Sequence, residues 1–279
     1  MDLKIIDLTD THAKFVVSGT RPDMANALRR TLMVGVPKMA IETVEFHLGP
    51  IRDEDGKECE SVSPLFDEMI AHRLGLVPVP TDPDLYVFKD KCVCDGEGCP
   101  NCTIMYSLNK KGPAEVYSGD LEPLGGKELR VKDELIPIVK LGPKQALLIY
   151  ASAELGTAER HIKWQGTSGT AYRYYPTVTI DVSKCDLCEE CVKACPRHVL
   201  GSKDKKIVAV NLEECILCTS CVKACPRDAI TTSGDDTKFI FEFETDGSLT
   251  ARDTLRKALE VLEQRFDDFR ENLGQLVEG

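Results

Sequence analysis

The residues with the clearest chemical potential are eight cysteines in two copies of one pattern. The first copy reads CDLCEECVKACP from residue 185, and the second reads CILCTSCVKACP from residue 215. In each copy, two-residue gaps separate the first three cysteines, and a fourth follows after three more residues and precedes proline. At this spacing the first three thiolates bind one [4Fe–4S] cluster, while the fourth binds the cluster of the other copy.

This exchange of the fourth cysteine predicts two ligand sets. Cluster one takes Cys185, Cys188, Cys191 and Cys225, and cluster two takes Cys215, Cys218, Cys221 and Cys195. Zinc binding and plain buried thiols are the alternatives. Both are disfavoured because the whole pattern is duplicated, with a Cys-Pro step at the end of each copy. The sequence therefore predicts two [4Fe–4S] clusters.

A second group of cysteines lies in the segment KCVCDGEGCPNC, which starts at residue 91. Its cysteines are Cys92, Cys94, Cys99 and Cys102. Four thiolates this close can form a closed tetrahedral site, and the two glycines of the segment permit the tight turns that such a site requires. The segment predicts structural Zn²⁺, with iron or a metal-free loop as the alternatives. Cys59 stands alone and is interpreted as a buried or spectator thiol.

The other polar residues do not form a recognisable catalytic pattern. The sequence has no Ser/His/Asp or paired-carboxylate constellation and no glycine-rich phosphate loop. His72 and His161 are interpreted as packing or interface groups rather than catalysts. We therefore expect no active site in this chain.

Composition restricts the classes of protein further. The chain has 279 residues, 13 cysteines and a formal net charge of −11. The acidic balance disfavours direct nucleic-acid binding, because phosphate neutralisation needs clustered Lys and Arg. No apolar run approaches the roughly 18 residues of a membrane helix. The first residues lack an export pattern, so we expect a reducing cytoplasm, where many cysteines indicate metal binding rather than disulfides.

Hydrophobic periodicity predicts the elements that carry these motifs. Alternation through residues 3–8 and 13–17 indicates a β-hairpin, and Pro22 suits the first turn of a helix with Ala25, Leu28 and Leu32 on one face. A strand follows near residues 40–48. Residues 49–183 are rich in predicted strands and turns, with one short helix near 65–74. Another strand runs through residues 239–243.

The last predicted element is a long helix that begins with the capping sequence TARD at residue 250. Its apolar stripe consists of Leu255, Leu259, Leu262, Phe266, Phe269 and Leu273. The steps of four and three residues have the coiled-coil period. This period favours packing against a helix of a partner chain over packing within the same chain, which is the alternative.

Four segments resemble a known family. Residues 25–46 (ANALRRTLMVGVPKMAIETVEF), 63–79, 156–165 (GTAERHIKWQ) and 239–262 are similar to the D subunit of archaeal RNA polymerase. The D subunit is the counterpart of the amino-terminal domain of the bacterial alpha subunit. The resemblance covers essentially the whole chain in the same order.

The resemblance implies an α+β fold with a split domain. Residues 1–46 and 234–279 would form a dimerisation domain, and residues 47–183 would form an inserted β-rich domain. Residues 184–233 would form a ferredoxin-like iron–sulfur domain. The loop at Cys92–Cys102 also resembles a zinc loop in the eukaryotic counterpart.

The resemblance further implies a non-catalytic role in transcription. The chain would form a heterodimer with the small subunit L, and this pair would be the platform on which the large catalytic subunits and other small subunits assemble. Polymerisation would then take place in those partners. The implied interface residues are Ala25, Leu28, Leu32, Leu255, Leu259, Leu262, Phe266 and Phe269. The clusters would stabilise the insert or make it redox-sensitive. The rival interpretation is an electron carrier fused to another domain.

Overall fold

The computed structural model describes residues 2–52 and 58–278. The strands are β1 (Asp2–Leu8), β2 (His12–Ser18), β3 (Lys38–Phe46), β4 (Pro50–Arg52), β5 (Glu58–Glu60), β6 (Thr103–Lys111), β7 (Ala114–Tyr117), β8 (Glu122–Pro123), β9 (Pro137–Leu141), β10 (Ala146–Gly156), β11 (Thr167–Ile180), β12 (Leu200–Lys203), β13 (Lys206–Ala209) and β14 (Ile230–Thr245). The helices are α1 (Pro22–Arg30), α2 (Asp67–Gly75), α3 (Glu190–Lys193), α4 (Ser220–Lys223) and α5 (Ala251–Glu278). A π-helical turn at Thr31–Gly35 continues α1.

The chain divides into two compact units. The first contains the residues up to Asp7 together with Lys14–Ala27 and Ala171–Glu242. The second contains Leu8–Ala13, Leu28–Thr170 and the residues from Phe243 onward. Both units therefore draw on distant parts of the sequence.

The first unit is built on a sheet with the strand order β1-β2-β14-β11. Aromatic side chains on neighbouring strands hold its buried face together. Phe15 stacks on Phe241 with ring centroids 5.2 Å apart. Tyr172 meets Phe239 edge-on at 5.6 Å. Such cross-strand aromatic pairs stabilise a sheet beyond the area that they bury. This sheet continues through β11 and β14 into the cysteine-rich segment.

The second unit contains a sheet with the order β3-β10-β6-β8. Strand β10 is central in this sheet, and Ile149 pairs with Phe46 of β3 and with Leu108 of β6. Helix α2 packs against β3 and β9. Ile70 and Leu74 of this helix belong to the apolar core, and neither has exposed surface. A two-stranded sheet of β7 and β9 completes this core.

Helix α5 begins as the sequence predicts. Thr250 is the N-cap residue, because its Oγ1 accepts a hydrogen bond from the amide of Asp253 at 3.1 Å. The first turns of the helix pack on the π-helical turn at Thr31–Gly35, and Ala251 and Ala258 are fully buried. The Arg256 guanidinium lies 2.8 Å from a carboxylate oxygen of Asp84. The start of α5 is thus fixed within the second unit.

Several antiparallel sheets combined with helices confirm the predicted α+β class. The strand pairing also joins segments that the predicted domain boundaries separate. Strand β11 comes from the predicted insert but lies beside β14, and β3 comes from the predicted dimerisation domain but pairs with β10. The division into three domains stays a prediction. Within the described residues, no helix has the length and apolar character needed to span a membrane.

Candidate metal sites and interaction surface

The loop between residues 92 and 102 brings its four cysteines together. The Sγ atoms of Cys92 and Cys99 lie 3.5 Å apart, those of Cys94 and Cys102 lie 3.6 Å apart, and those of Cys99 and Cys102 lie 3.9 Å apart. All four Sγ atoms lie within 4.8 Å of one another. A tetrahedral Zn²⁺ with Zn–S bonds of about 2.3 Å requires sulfur atoms about 3.8 Å apart. The donor set therefore fits a single tetrahedral ion.

Tight backbone turns produce this convergence. Asp95, Gly96 and Gly98 have φ values of 51°, 83° and 101°, in the left-handed region that glycine adopts most easily. The amide of Cys102 donates to the carbonyl of Cys99 at 2.9 Å. The amide of Cys99 also donates to the Cys102 Sγ at 3.3 Å, which orients this thiol inward.

The pKa values of Cys94 and Cys102 shift in opposite directions because their surroundings differ. A hydrogen bond from the backbone of Gly98 is the main cause that lowers the pKa of Cys94 to about 6. Burial raises the pKa of Cys102 to about 12, and this side chain has no exposed surface. A metal ion binds thiolates, so metal binding must release the Cys102 proton at neutral pH. Metal affinity is therefore expected to increase with pH.

Replacing Cys102 with serine is expected to abolish metal binding at this loop. The variant should lose about one zinc ion per chain, and the loss of an ion present at a thousandfold above its Kd should lower the free energy of unfolding by about 4 kcal/mol. Metal analysis and thermal unfolding measure both effects. The control is Cys59→Ser, because Cys59 lies in β5 outside this group. Equal zinc content in the two variants would contradict the assignment.

The two copies of the repeated cysteine pattern have the same local structure. Leu187 and Leu217 have φ values of 62° and 54°, and Glu189 and Thr219, two residues further on in each copy, have φ values of 58° and 60°. These left-handed residues curl the backbone around the first three cysteines of each copy, just before α3 and α4. The fourth cysteine of each copy also accepts the same backbone hydrogen bond. The amide three residues after the following proline donates to its Sγ, at 3.3 Å in both copies.

The fourth cysteine of each copy lies near the other copy. Burial raises the pKa of Cys191, and charge on Cys225 and Cys185 adds to this rise. Burial likewise raises the pKa of Cys221, and here Cys195 and Cys215 add to the rise. One cavity is lined by all four predicted ligands of cluster two, namely Cys195, Cys215, Cys218 and Cys221. The soft thiolate donors and their grouping thus fit the exchanged ligand sets, which stay a prediction.

The predicted interface residues fall into two classes. Ala25, Leu28 and Leu32 are buried within the chain itself, with 2%, 8% and 1% of their surface exposed. Leu255 is also buried, whereas most of the later residues of the apolar stripe are exposed. The exposed fractions are 43% for Leu259, 51% for Phe266, 65% for Phe269 and 49% for Leu273, and Leu262 is half-buried. The second half of α5 therefore presents an apolar surface that is open to a partner.

Of the two histidines interpreted as packing or interface groups, His161 makes structural contacts, whereas His72 is exposed on α2. His161 accepts a hydrogen bond from the amide of Lys163 at 3.2 Å and lies edge-on to Trp164. Trp164 is buried, and its indole N–H donates to the carbonyl of Glu154 at 3.1 Å. The Arg160 guanidinium lies 4.8 Å from the Trp164 ring. These contacts give this part of the segment GTAERHIKWQ a structural role.

Comparison with known proteins gives the class to which this fold belongs. Residues 14–266 match the RNA polymerase Rpb3/Rpb11 dimerisation domain. The protein of Thermoplasma volcanium described as DNA-directed RNA polymerase subunit Rpo3 is 46% identical over 275 residues, which cover 99% of this chain and 100% of the relative. The Rpo3 subunits of Picrophilus torridus and Methanothermobacter thermautotrophicus are 44% and 43% identical, over 98% and 96% of this chain and 100% and 97% of the relatives.

The chain belongs to the Rpb3/Rpb11 family of RNA polymerase dimerisation subunits. Within that family the relatives named above are Rpo3 proteins, the archaeal counterparts of bacterial alpha, for which the D subunit is another name. The resemblance inferred from the four sequence segments is thereby confirmed. The chain is a non-catalytic assembly subunit of DNA-directed RNA polymerase.

Proposed function

We propose that this chain pairs with subunit L and that the pair nucleates assembly of the large catalytic subunits and the other small subunits. The single observation that carries the proposal is the exposed apolar stripe on the second half of α5. Phe266 and Phe269 are 51% and 65% exposed on a helix whose start is fixed in the second unit. An apolar face of this period and length suits a partner helix. Subunit L is the partner that the family resemblance implies for this face.

We also propose that the cysteine-rich segment binds two [4Fe–4S] clusters through the exchanged ligand sets, in a ferredoxin-like domain of residues 184–233. The duplicated spacing and the grouping of Cys191 with Cys225 and of Cys221 with Cys195 support this assignment. The clusters would supply folding free energy to the segment, because an apo site lacks the metal bonds that hold its loops together. Oxidants that remove the clusters would remove this stabilisation, so the clusters would also make the segment redox-sensitive.

The loop at Cys92–Cys102 is proposed to hold structural Zn²⁺. Three sulfur–sulfur distances of 3.5 to 3.9 Å, with all four Sγ atoms within 4.8 Å of one another, support one tetrahedral ion. We place the protein in the cytoplasm and expect its contacts to be with polymerase subunits rather than with nucleic acid or membrane. The net charge of −11 supports this choice of partner.

Anaerobic co-purification tests these proposals together. The tagged chain is expressed with its natural partners, the bound chains are identified, and iron, sulfide and zinc are measured in the same sample. We expect subunit L and the large subunits, about eight iron and eight sulfide per chain for two [4Fe–4S] clusters, and about one zinc per chain. Recovery of the chain alone, with ferredoxin-like electron transfer, would instead favour the electron-carrier interpretation.

A further inference from the structure

The two predicted cluster sites share their ligand spacing but differ in charge. At matching positions of the repeat, Asp186 in the first copy corresponds to Ile216 in the second. Glu189 and Glu190 correspond in the same way to Thr219 and Ser220. Cluster one therefore has three carboxylates between its first three ligands, where cluster two has none.

Solvent exposure does not distinguish the two sites. Each ligand set contains one exposed cysteine, one buried cysteine and two of intermediate exposure. The exposed ones are Cys188 and Cys218, at matching positions. The buried ones are Cys191 in the first set and Cys195 in the second. Because the two ligand sets are equally exposed, the sites differ in their fixed charges and in their hydrogen bonds to sulfur.

Hydrogen bonding near the exposed ligands also differs. The Cys218 Sγ lies 3.4 Å from the Ser220 hydroxyl. A cysteine that binds iron is a thiolate, so the hydroxyl must be the donor in this bond. Glu190 occupies the matching position in the first copy, and its carboxylate accepts a hydrogen bond from Lys193 at 2.8 Å. An ionised carboxylate cannot donate to Cys188.

Cations near cluster two offset its nearest acidic residues. Glu213 and Glu214 precede Cys215, but Lys4 lies 2.7 Å from the first carboxylate and Lys14 lies 2.6 Å from the second. The Arg173 guanidinium also donates to the carbonyl of Glu213 at 2.7 Å. These cations come from β1, β2 and β11 of the same unit.

On the side of cluster one, Arg227 lies 2.9 Å from Asp186. Arg227 and Asp228 follow Cys225, the ligand that the second copy gives to cluster one. At the position that matches Asp228, the first copy has His198, near Cys195. The nearby charge therefore stays more negative around cluster one than around cluster two.

We propose that Asp186, Glu189 and Glu190 give cluster one a lower reduction potential than cluster two, which accepts an electron first. The proposal rests on the proposed binding of two [4Fe–4S] clusters. Each reduction adds one electron from an external one-electron donor, so neighbouring carboxylates disfavour it and a hydrogen bond to sulfur favours it. The chain would thus hold one cluster reduced and one oxidised over a range of potentials.

Potentiometric titration of the full-length chain, monitored by electron paramagnetic resonance with dithionite as reductant, tests this proposal. We expect two separate midpoints in the unmodified chain. The triple variant Asp186→Asn, Glu189→Gln, Glu190→Gln should raise only the lower midpoint. The expected change is about tenfold in the ratio of reduced to oxidised cluster one at a given potential, or about 59 mV for one electron. Glu263→Gln on α5 is the control for loss of an exposed carboxylate that belongs to the second unit.

A conservative second variant tests the other site independently. Ser220→Ala should lower only the upper midpoint, because it removes the hydroxyl donor near Cys218 without adding charge. A single midpoint for both clusters, or equal shifts of both midpoints in the triple variant, would overturn the proposal. Iron and sulfide are measured first in every sample. Absence of clusters from the unmodified chain would refute the proposed cofactor itself, whereas clusters with one midpoint would refute only the inequality.

Discussion

Replacing Cys188 and Cys218 together with serine is expected to lower the recovery of assembled polymerase about tenfold, which corresponds to about 1.4 kcal/mol in assembly free energy. Each substitution removes one ligand from one predicted cluster. Both cysteines are exposed, so the substitutions do not disturb a packed core. The large subunits recovered with the tagged chain are measured by quantitative gel analysis, with iron content determined in parallel.

The reason for this large effect is that the cysteine-rich segment has little other structure to hold it. Helices α3 and α4 have four residues each, and β12 and β13 form a sheet of only two strands. Elements of this size are marginal alone. The apolar cluster between them consists of Cys191, Leu200, Ile207 and Ile230, with partly buried neighbours that include three more cysteines. Metal binding would then supply much of the folding free energy of this segment.

The same variant should keep its affinity for subunit L, because the proposed contact surface on α5 is remote in sequence and belongs to the second unit. Limited proteolysis should cut the variant within residues 184–233 while α5 stays intact. Cys59→Ser controls for the loss of a thiol outside both predicted cluster sites. Unchanged recovery of polymerase from a cluster-free chain would refute a role for the clusters in assembly.

Local sequence signals predicted the elements well because their causes are local. Pro22 marks the first residue of α1, and Thr250 caps α5. Both depend on backbone geometry and hydrogen bonds within one turn. The spacing of the repeated cysteines similarly predicts which copy each fourth ligand faces. Charge on Cys225 adds to the raised pKa of Cys191, which is consistent with this exchange, and the ligand sets stay a prediction.

Long-range pairing could not be predicted from these signals. The alternation of apolar and polar residues in β11 shows which of its side chains share a face. It does not indicate which strand lies beside β11, and in the structure that neighbour is β14. The predicted interface shows a related limit. Leu28 and Phe269 are both apolar and both on helical stripes, yet one is 8% exposed and the other 65% exposed. Periodicity defines the apolar face of a helix, but only tertiary packing decides what covers it.

Replacing Phe266 and Phe269 with aspartate is expected to weaken the pairing with subunit L about a hundredfold or more. Truncating a central aromatic contact residue costs about 2 kcal/mol or more, and two such losses exceed the roughly 2.7 kcal/mol that corresponds to a hundredfold change. The two side chains are 51% and 65% exposed in the chain alone, so its own stability should change little. Titration calorimetry with purified subunit L measures the affinity, and thermal unfolding checks the fold.

The matched control uses the opposite side of the same helix. Gln264 is exposed and lies about 160° around α5 from Phe266, given 100° per residue. Gln264→Asp therefore adds one negative charge, against two in the double variant, to the same part of α5 without touching the apolar stripe, and it should leave the affinity for subunit L unchanged. If both aspartate variants weaken binding equally, added charge rather than the stripe is responsible. If neither does, the contact lies elsewhere, and the exposed half of α5 must be covered by another polymerase subunit or by a second copy of this chain.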